Sequence, residues 1–232
     1  MARMRKPRWL KRNGLPRGPA REASHMGADV FTVDPEKIFK RRAPLEIEIG
    51  SGTGELIVER ARQMPECDFL AIELAGPVFN LLELRISLSA IPNLIPLRAD
   101  ARTVVNLLLP DFSAGAFHIY FPDPWPKKRH SKHRLFTPAF VAGLSRTLSP
   151  SGMLYVATDV APYAEHIFNL LEGSGFARSD AEVPGASRSS FAKKYLNTGR
   201  PIHSAAFNAP PANSAKNWPV QPVLDGQQAS EV

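Results

Sequence analysis

The chain has 232 residues, 44% of them hydrophobic and 22% charged, and a formal net charge of +7. That length and composition fit one ordinary globular domain with appendages, large enough to bury its own core. One cysteine, Cys67, excludes an internal disulfide framework and a cysteine-built zinc site, and no apolar run approaches the length of a membrane span.

Residues 1–40 are rich in Arg, Pro and Gly and show no sustained periodicity. They read as a basic, largely flexible arm without the apolar core of a signal peptide. The folded domain is expected over residues 41–207. Leu45–Ile49 alternates and ends in glycines, as a strand entering a tight turn does. Glu46 reads as an exposed position of that strand. Glu55–Gln63 has helical spacing, with Leu56, Ile57 and Ala61 on one face. Asp68–Glu73 is a second strand, and Pro77–Leu88 a helix apolar at Val78, Leu81, Leu82 and Leu84. Leu94–Leu97 is a third strand, weakened by Pro96. Thr103–Leu109 reads as a short helix and Ala116–Phe121 as a buried fourth strand. Pro138–Leu148 is a helix, Pro150–Gly152 a turn and Met153–Ala157 the fifth strand. Pro162–Leu171 is another helix, and Gly175-Phe176 opens a sixth strand. From about Asn208 the composition turns to Pro, Ala, Asn, Ser and Gln, and residues 208–232 are expected to be a disordered tail. Strands alternating with helices predict an α/β fold: a mostly parallel central sheet with helices on both faces.

Charge is concentrated in two places. Residues 1–21 hold eight Lys or Arg and no acid, and residues 127–134 hold five more with His130 and His133. Without these segments the remainder is mildly acidic. Local cationic patches on such a body favour a polyanion, with nucleic acid first.

Gly50-Ser-Gly52-Thr-Gly54 sits between the first strand and the first helix of the domain. Glycine there permits a tight turn and close approach of a ligand to the backbone. A dinucleotide fingerprint needs glycine at position 55, where the chain has Glu55, and a carboxylate there suits a pyrophosphate badly. Glu48 precedes the turn and suits a cationic amino group. Glu73 ends the second strand, where a carboxylate can accept ribose hydroxyls. Asp100 follows the third strand and suits an adenine amino group, with a helix N-cap as its other reading. Three acids at successive strand ends fit a ligand carrying cations and donors. The turn resembles the first motif of S-adenosylmethionine-dependent methyltransferases, which have a Rossmann-like class I fold.

The fourth strand runs into Phe121-Pro-Asp-Pro-Trp125 and then the basic strip to Arg134. Prolines hold an acid and an aromatic at the strand's exit. Phe121–Arg134, together with Ala157-Thr-Asp159 and Pro162-Tyr-Ala-Glu165, resembles the TrmB family of tRNA (guanine-N7-)-methyltransferases, a likeness running from about Leu45 to Ile202. The resemblance implies methyl transfer from S-adenosyl-L-methionine to a guanine of the tRNA variable loop. It implies cofactor-binding roles for Glu48, Glu73 and Asp100 and places Asp123 beside cofactor and base. It implies substrate contacts for Lys127 and Asp159, and RNA contacts for the stretch containing Arg129, His130, Lys132 and Arg134.

The chemistry is consistent with this. Guanine N7 has a free in-plane lone pair, so transfer removes no proton first. The ring becomes cationic, and a carboxylate such as Asp123 orients the base and stabilises the developing charge. Trp125 reads equally as a base-stacking or a loop-packing side chain. The basic side chains would contact phosphate, which positions RNA without reading its sequence. His130 and His133 do not read as metal ligands, and no metal is expected.

One motif departs from the family. Its Thr-x-Phe-Glu substrate motif aligns with Ser189-Ser-Phe191-Ala192, so the hydroxyl and aromatic remain and the carboxylate is gone. Two alternatives therefore stand beside the main reading. One is an RNA-binding protein with a degenerate methyltransferase fold. The other is an amino-group methyltransferase acting on a different substrate. A cytoplasmic location is expected, and nothing in the sequence calls for a membrane or an obligatory protein partner.

Overall fold

The computed structural model describes residues 32–185 and 201–211, apart from the side chains of Lys128 and Ser131. Among the described residues, seven strands form one sheet in the order β3-β2-β1-β4-β5-β7-β6. They are β1 (Leu45–Ile49), β2 (Asp68–Ile72), β3 (Leu94–Leu97), β4 (Ala114–Tyr120), β5 (Leu148–Thr158), β6 (Ala177–Ser179) and β7 (His203–Asn208). The β1, β2, β3, β4 and β5 strands pair in parallel, and β7 runs antiparallel to both of its neighbours. Strand order reverses between β1 and β4, so a crevice opens at their carboxyl ends. Pro96 is tolerated because β3 is an edge strand.

The helices are α1 (Pro35–Phe39), α2 (Glu55–Gln63), α3 (Gly76–Ser89), α4 (Ala101–Thr103), α5 (Pro138–Thr147) and α6 (Ala161–Gly173). One sheet face carries Ile47, Leu70, Phe117, Ile119, Leu154 and Val156, and packs with Phe140, Leu144, Ile167 and Leu171 of α5 and α6. The other carries Phe69 and Ala71 and packs with Ile57, Val58 and Ala61 of α2 and Phe79, Leu82 and Ile86 of α3.

Several elements differ from expectation. The α1 helix lies inside the segment read as an arm; the Asp34 carboxylate caps it, accepting from the Glu36 N–H at 3.1 Å, and Val33 is buried. The Thr103–Leu109 helix is instead α4 followed by a wide π-helical turn over Val104–Leu108. Pro150–Gly152 is no turn between elements. Ala114 pairs with Leu148 and Ala116 with Met153, so Ser149–Gly152 bulge out within one long β5. On α3, Leu82 is buried, but Leu81 and Leu84 are 54% and 38% exposed. Among the described residues, no helix is long and apolar enough to cross a membrane.

Glu46 is the clearest correction. It is buried, as is every residue of β1. Alternation in β1 therefore separates two buried faces, and Glu46 points toward α2. Arg60 of α2 binds it through Nε at 3.0 Å and Nη2 at 2.6 Å. His118 of β4 lies 2.9 Å from the same carboxylate. Burial would raise the Glu46 pKa, but His118 and Arg60 outweigh it and hold the carboxyl below its usual range. Burial keeps His118 neutral against the pull of Glu46. Neutral His118 gives its Nε2–H to Glu46, leaving the Tyr120 hydroxyl with two acceptors: His118 Nδ1 at 2.9 Å and the Pro184 carbonyl at 2.8 Å. The sequence thus ties α2, β1, β4 and the 182–185 segment together through one polar chain. Arg60→Met is expected to cost roughly 3 kcal/mol, because it strands a buried carboxylate. A lowered urea midpoint checks this.

Candidate active site

The parallel strands end in register. Ile49 pairs with Ile72 and Ile119, Ile72 with Leu97, and Ile119 with Val156. The acids singled out in the sequence follow this row. Glu73 lies one residue past Ile72, Asp100 and Asp159 follow β3 and β5, and Asp123 follows β4. Glu48 lies on β1 itself. The topology therefore brings all five to one edge of the sheet, around the crevice.

The turn after β1 is built by glycine. Gly50, Gly52 and Gly54 have φ of 74°, 55° and 79°, which side-chain-bearing residues adopt at a cost. A Cβ on Gly50 or Gly52 would meet nothing within 4 Å, so the backbone of the turn borders open space. Gly54 is required for packing as well: a Cβ there would sit 2.4 Å from buried Leu82. Glu73 braces the turn, its Oε2 accepting from the Gly52 N–H at 3.1 Å and its Oε1 from the Ala75 N–H at 2.7 Å. Glu55 does not face the turn's interior, because it pairs with Arg85 at 3.6 Å.

Glu48 is the most perturbed acid. It is only 6% exposed and its Oε2 has no hydrogen-bond partner. Burial pushes its pKa up to about 8, opposed by Arg60 and the Ile57 N–H and assisted by the Glu73 charge. A buried carboxyl with one unsatisfied oxygen beside an open glycine turn suits a cationic ligand. Asp100 is half-buried, and one of its oxygens caps α4 by accepting from the Arg102 N–H at 2.8 Å. Its capping reading is thus realised, through a single oxygen.

The loop after β4 is strained on both sides of Asp123. Phe121 and Trp125 have φ of 51° and 40°, rare for aromatic residues. Arg134 holds this shape. Its Nε donates to the Pro124 carbonyl at 2.9 Å, its Nη2 to the Trp125 carbonyl at 3.4 Å, and its guanidinium lies 5.2 Å from the Tyr163 ring centre. Arg134 was expected at phosphate; here it clamps the loop from inside. Arg102 in turn grips the strip, donating to the His133 and Arg134 carbonyls at 2.7 Å and 3.0 Å. Trp125 packs within the loop, its ring centre 5.8 Å from His130 and 5.1 Å from His133. Asp123 is exposed, as are Lys127, Arg129 and Lys132. A carboxylate thus stands at the crevice with a cationic strip leading away from it.

Asp159 is half-buried at the end of β5. The α6 cap position belongs to Val160, whose N–H donates to Thr158 Oγ1 at 3.3 Å, so Asp159 is not the cap residue. Ser189, Phe191 and Ala192 lie outside the described residues. Arg60, His118 and Tyr120 are not among the residues singled out in the sequence, and Tyr163 is so only within the Pro162–Glu165 motif. No local signal marks the first three, since Glu46 meets His118 across 72 residues of chain.

A tRNA (guanine-N(7)-)-methyltransferase of Nitrosomonas europaea is 46% identical over 139 residues, 60% of this chain and 62% of that protein. One from Alkalilimnicola ehrlichii is 42% identical over 140 residues, 60% of this chain and 59% of that protein. The chain therefore spans about three-fifths of the length of these curated relatives. The solved 16S rRNA methyltransferase KamB superposes with a TM-score of 0.57 at 17% identity, covering 76% of this chain and 92% of that one. A SAM-dependent methyltransferase from Aquifex aeolicus gives 0.52 at 14% identity, over 87% and 97%. At such identities the structural likeness is one of fold, a Rossmann-like sheet. The model of a family described as putative methyltransferases matches residues 42–204. That match reaches from before β1 into β7, so it takes in the sheet, the glycine turn and the strained loop together, and the chain belongs to this family of putative methyltransferases.

Proposed function

We propose that the protein transfers a methyl group from S-adenosyl-L-methionine to N7 of a guanine in the variable loop of tRNA. The observation that carries this is the buried Glu48 carboxyl, whose Oε2 has no hydrogen-bond partner, beside an open glycine turn, with Asp123 and a cationic strip on the same crevice. The names of its relatives support tRNA as the substrate class.

The residues present fit the cofactor. Glu48 would take its ammonium group, Glu73 its ribose hydroxyls and Asp100 its adenine amino group, while Gly50, Gly52 and Gly54 leave room for close backbone contact. When bound, the cofactor supplies an activated methyl on a sulfonium sulfur. Asp123 would orient the guanine through its N1–H and amino edge and stabilise the positive charge that develops on the ring. No general base is needed at an N7 lone pair. Lys127, Arg129, His130 and Lys132 would hold phosphate, and Arg134 would serve the same end by keeping the loop in shape. Asp159 would face the base or its ribose from β5. Ser189 and Phe191 are proposed to complete the substrate site. A tRNA substrate and a lone cysteine suit the cytoplasm.

Incubation with labelled cofactor and tRNA from cells lacking this modification tests the reading. Label is expected in tRNA. A chain that binds the cofactor yet labels no tRNA would overturn it, and one that binds tRNA but no cofactor would instead support an RNA-binding protein with a degenerate methyltransferase fold.

A further inference from the structure

Tyr163 sits in the first turn of α6 and is 2% exposed, yet its hydroxyl has no hydrogen-bond partner. A buried phenol left unsatisfied costs stability that phenylalanine in the same space would not. Its surroundings show what it lacks. The backbone N–H groups of Leu135 and Phe136 act on the phenol oxygen, as do the charges of Arg134 and Asp123, while burial dominates and raises its pKa. What is missing is an acceptor for the hydroxyl proton.

The ring is also part of the loop's support. Arg134 lies over it and, with the same guanidinium, holds the carbonyls of Pro124 and Trp125, the two residues after Asp123. Ring, cation and loop form one stack that sets where Asp123 stands. Asp123 itself is exposed, and the backbone is strained at Phe121 and Trp125 around it. A carboxylate on an exposed loop needs a fixed donor to point in one direction.

We propose that Tyr163 is a positioning residue: its hydroxyl donates to the Asp123 carboxylate when guanine is bound and fixes the direction from which that carboxylate meets the base. This rests on the reading of Asp123 given above. The unpaired hydroxyl is then the free-state cost of a contact made in the reacting complex, where an interaction raises turnover.

Tyr163→Phe keeps the ring and its stack with Arg134 and removes only the donor. Its turnover on tRNA is expected to fall about tenfold, less than the roughly 100-fold or more lost with a group that itself meets the reacting atoms. The KM for tRNA and the cofactor Kd should stay unchanged, and the melting temperature should be equal or higher. In an Asp123→Asn background the same change should have little further effect, because the two groups act as a unit. Unchanged turnover would overturn the proposal, as would a loss of equal size in the Asp123→Asn background. An inactive parent chain would overturn the functional reading and this proposal together; an active parent with an unaffected variant overturns this proposal alone.

Discussion

Asp123→Asn is expected to lower turnover by about 100-fold or more while leaving the fold intact, the size seen when one group aimed at developing charge is removed. The amide is nearly isosteric, so the loop held by Arg134 keeps its shape. What is lost is the negative charge facing a ring that becomes cationic, and one acceptor for the guanine edge. Asp123 is exposed, and its removal breaks no buried pair, so the melting temperature should not move. Turnover at saturating cofactor and tRNA is the measurement. Turnover equal to the parent's would remove Asp123 from its role.

Glu48→Gln is expected to separate stability from binding. The folded carboxyl has its pKa raised from 4.5 to about 8 by burial. Between those values the unfolded chain carries an ionised Glu48 and the folded chain a protonated one. The folded state then binds more protons, so stability falls as pH rises through this window, and the loss is complete above about 8. Each pKa unit corresponds to about 1.4 kcal/mol, so the parent gives up several kcal/mol by the top of the window. Glutamine carries no such charge. The variant should therefore exceed the parent in stability by a margin that grows with pH, read from urea unfolding at two pH values. Its affinity for S-adenosylmethionine should drop by about 100-fold, since a charge-assisted bond and its Coulomb attraction are lost. In the parent, binding a cation ionises Glu48. Protons are then released on binding below about pH 8, which calorimetry in buffers of different ionisation enthalpy detects. A variant that binds as tightly as the parent would contradict the role given to Glu48.

The parts of this molecule legible in its sequence are those fixed by local chemistry. The glycine turn announces itself because positive φ at Gly50, Gly52 and Gly54 restricts residue choice. The parallel sheet follows from short apolar runs alternating with helical spacing, and β1, β2 and β3 fall within a residue of where those runs place them. What escaped depends on distant partners. Glu46 looked exposed because alternation cannot distinguish solvent from a helix, and its partner Arg60 lies 14 residues on, in the next helix. The buried face of α3 was misread because leucines surround that helix, with Leu88 76% exposed opposite Leu82. The β7 strand was not read at all. Ser204-Ala-Ala is a weak strand former, and it takes its place by antiparallel pairing with β5. Arg134 was counted with its charged neighbours, although its guanidinium is committed to two carbonyls and a ring.

Nucleoside analysis of unmodified tRNA incubated with the protein and labelled S-adenosylmethionine bears most directly on the central claim. The predicted product is 7-methylguanosine from the variable loop, recognisable by its permanently cationic ring. Label on an exocyclic amino group, on a different base, or in no nucleoside at all would contradict it.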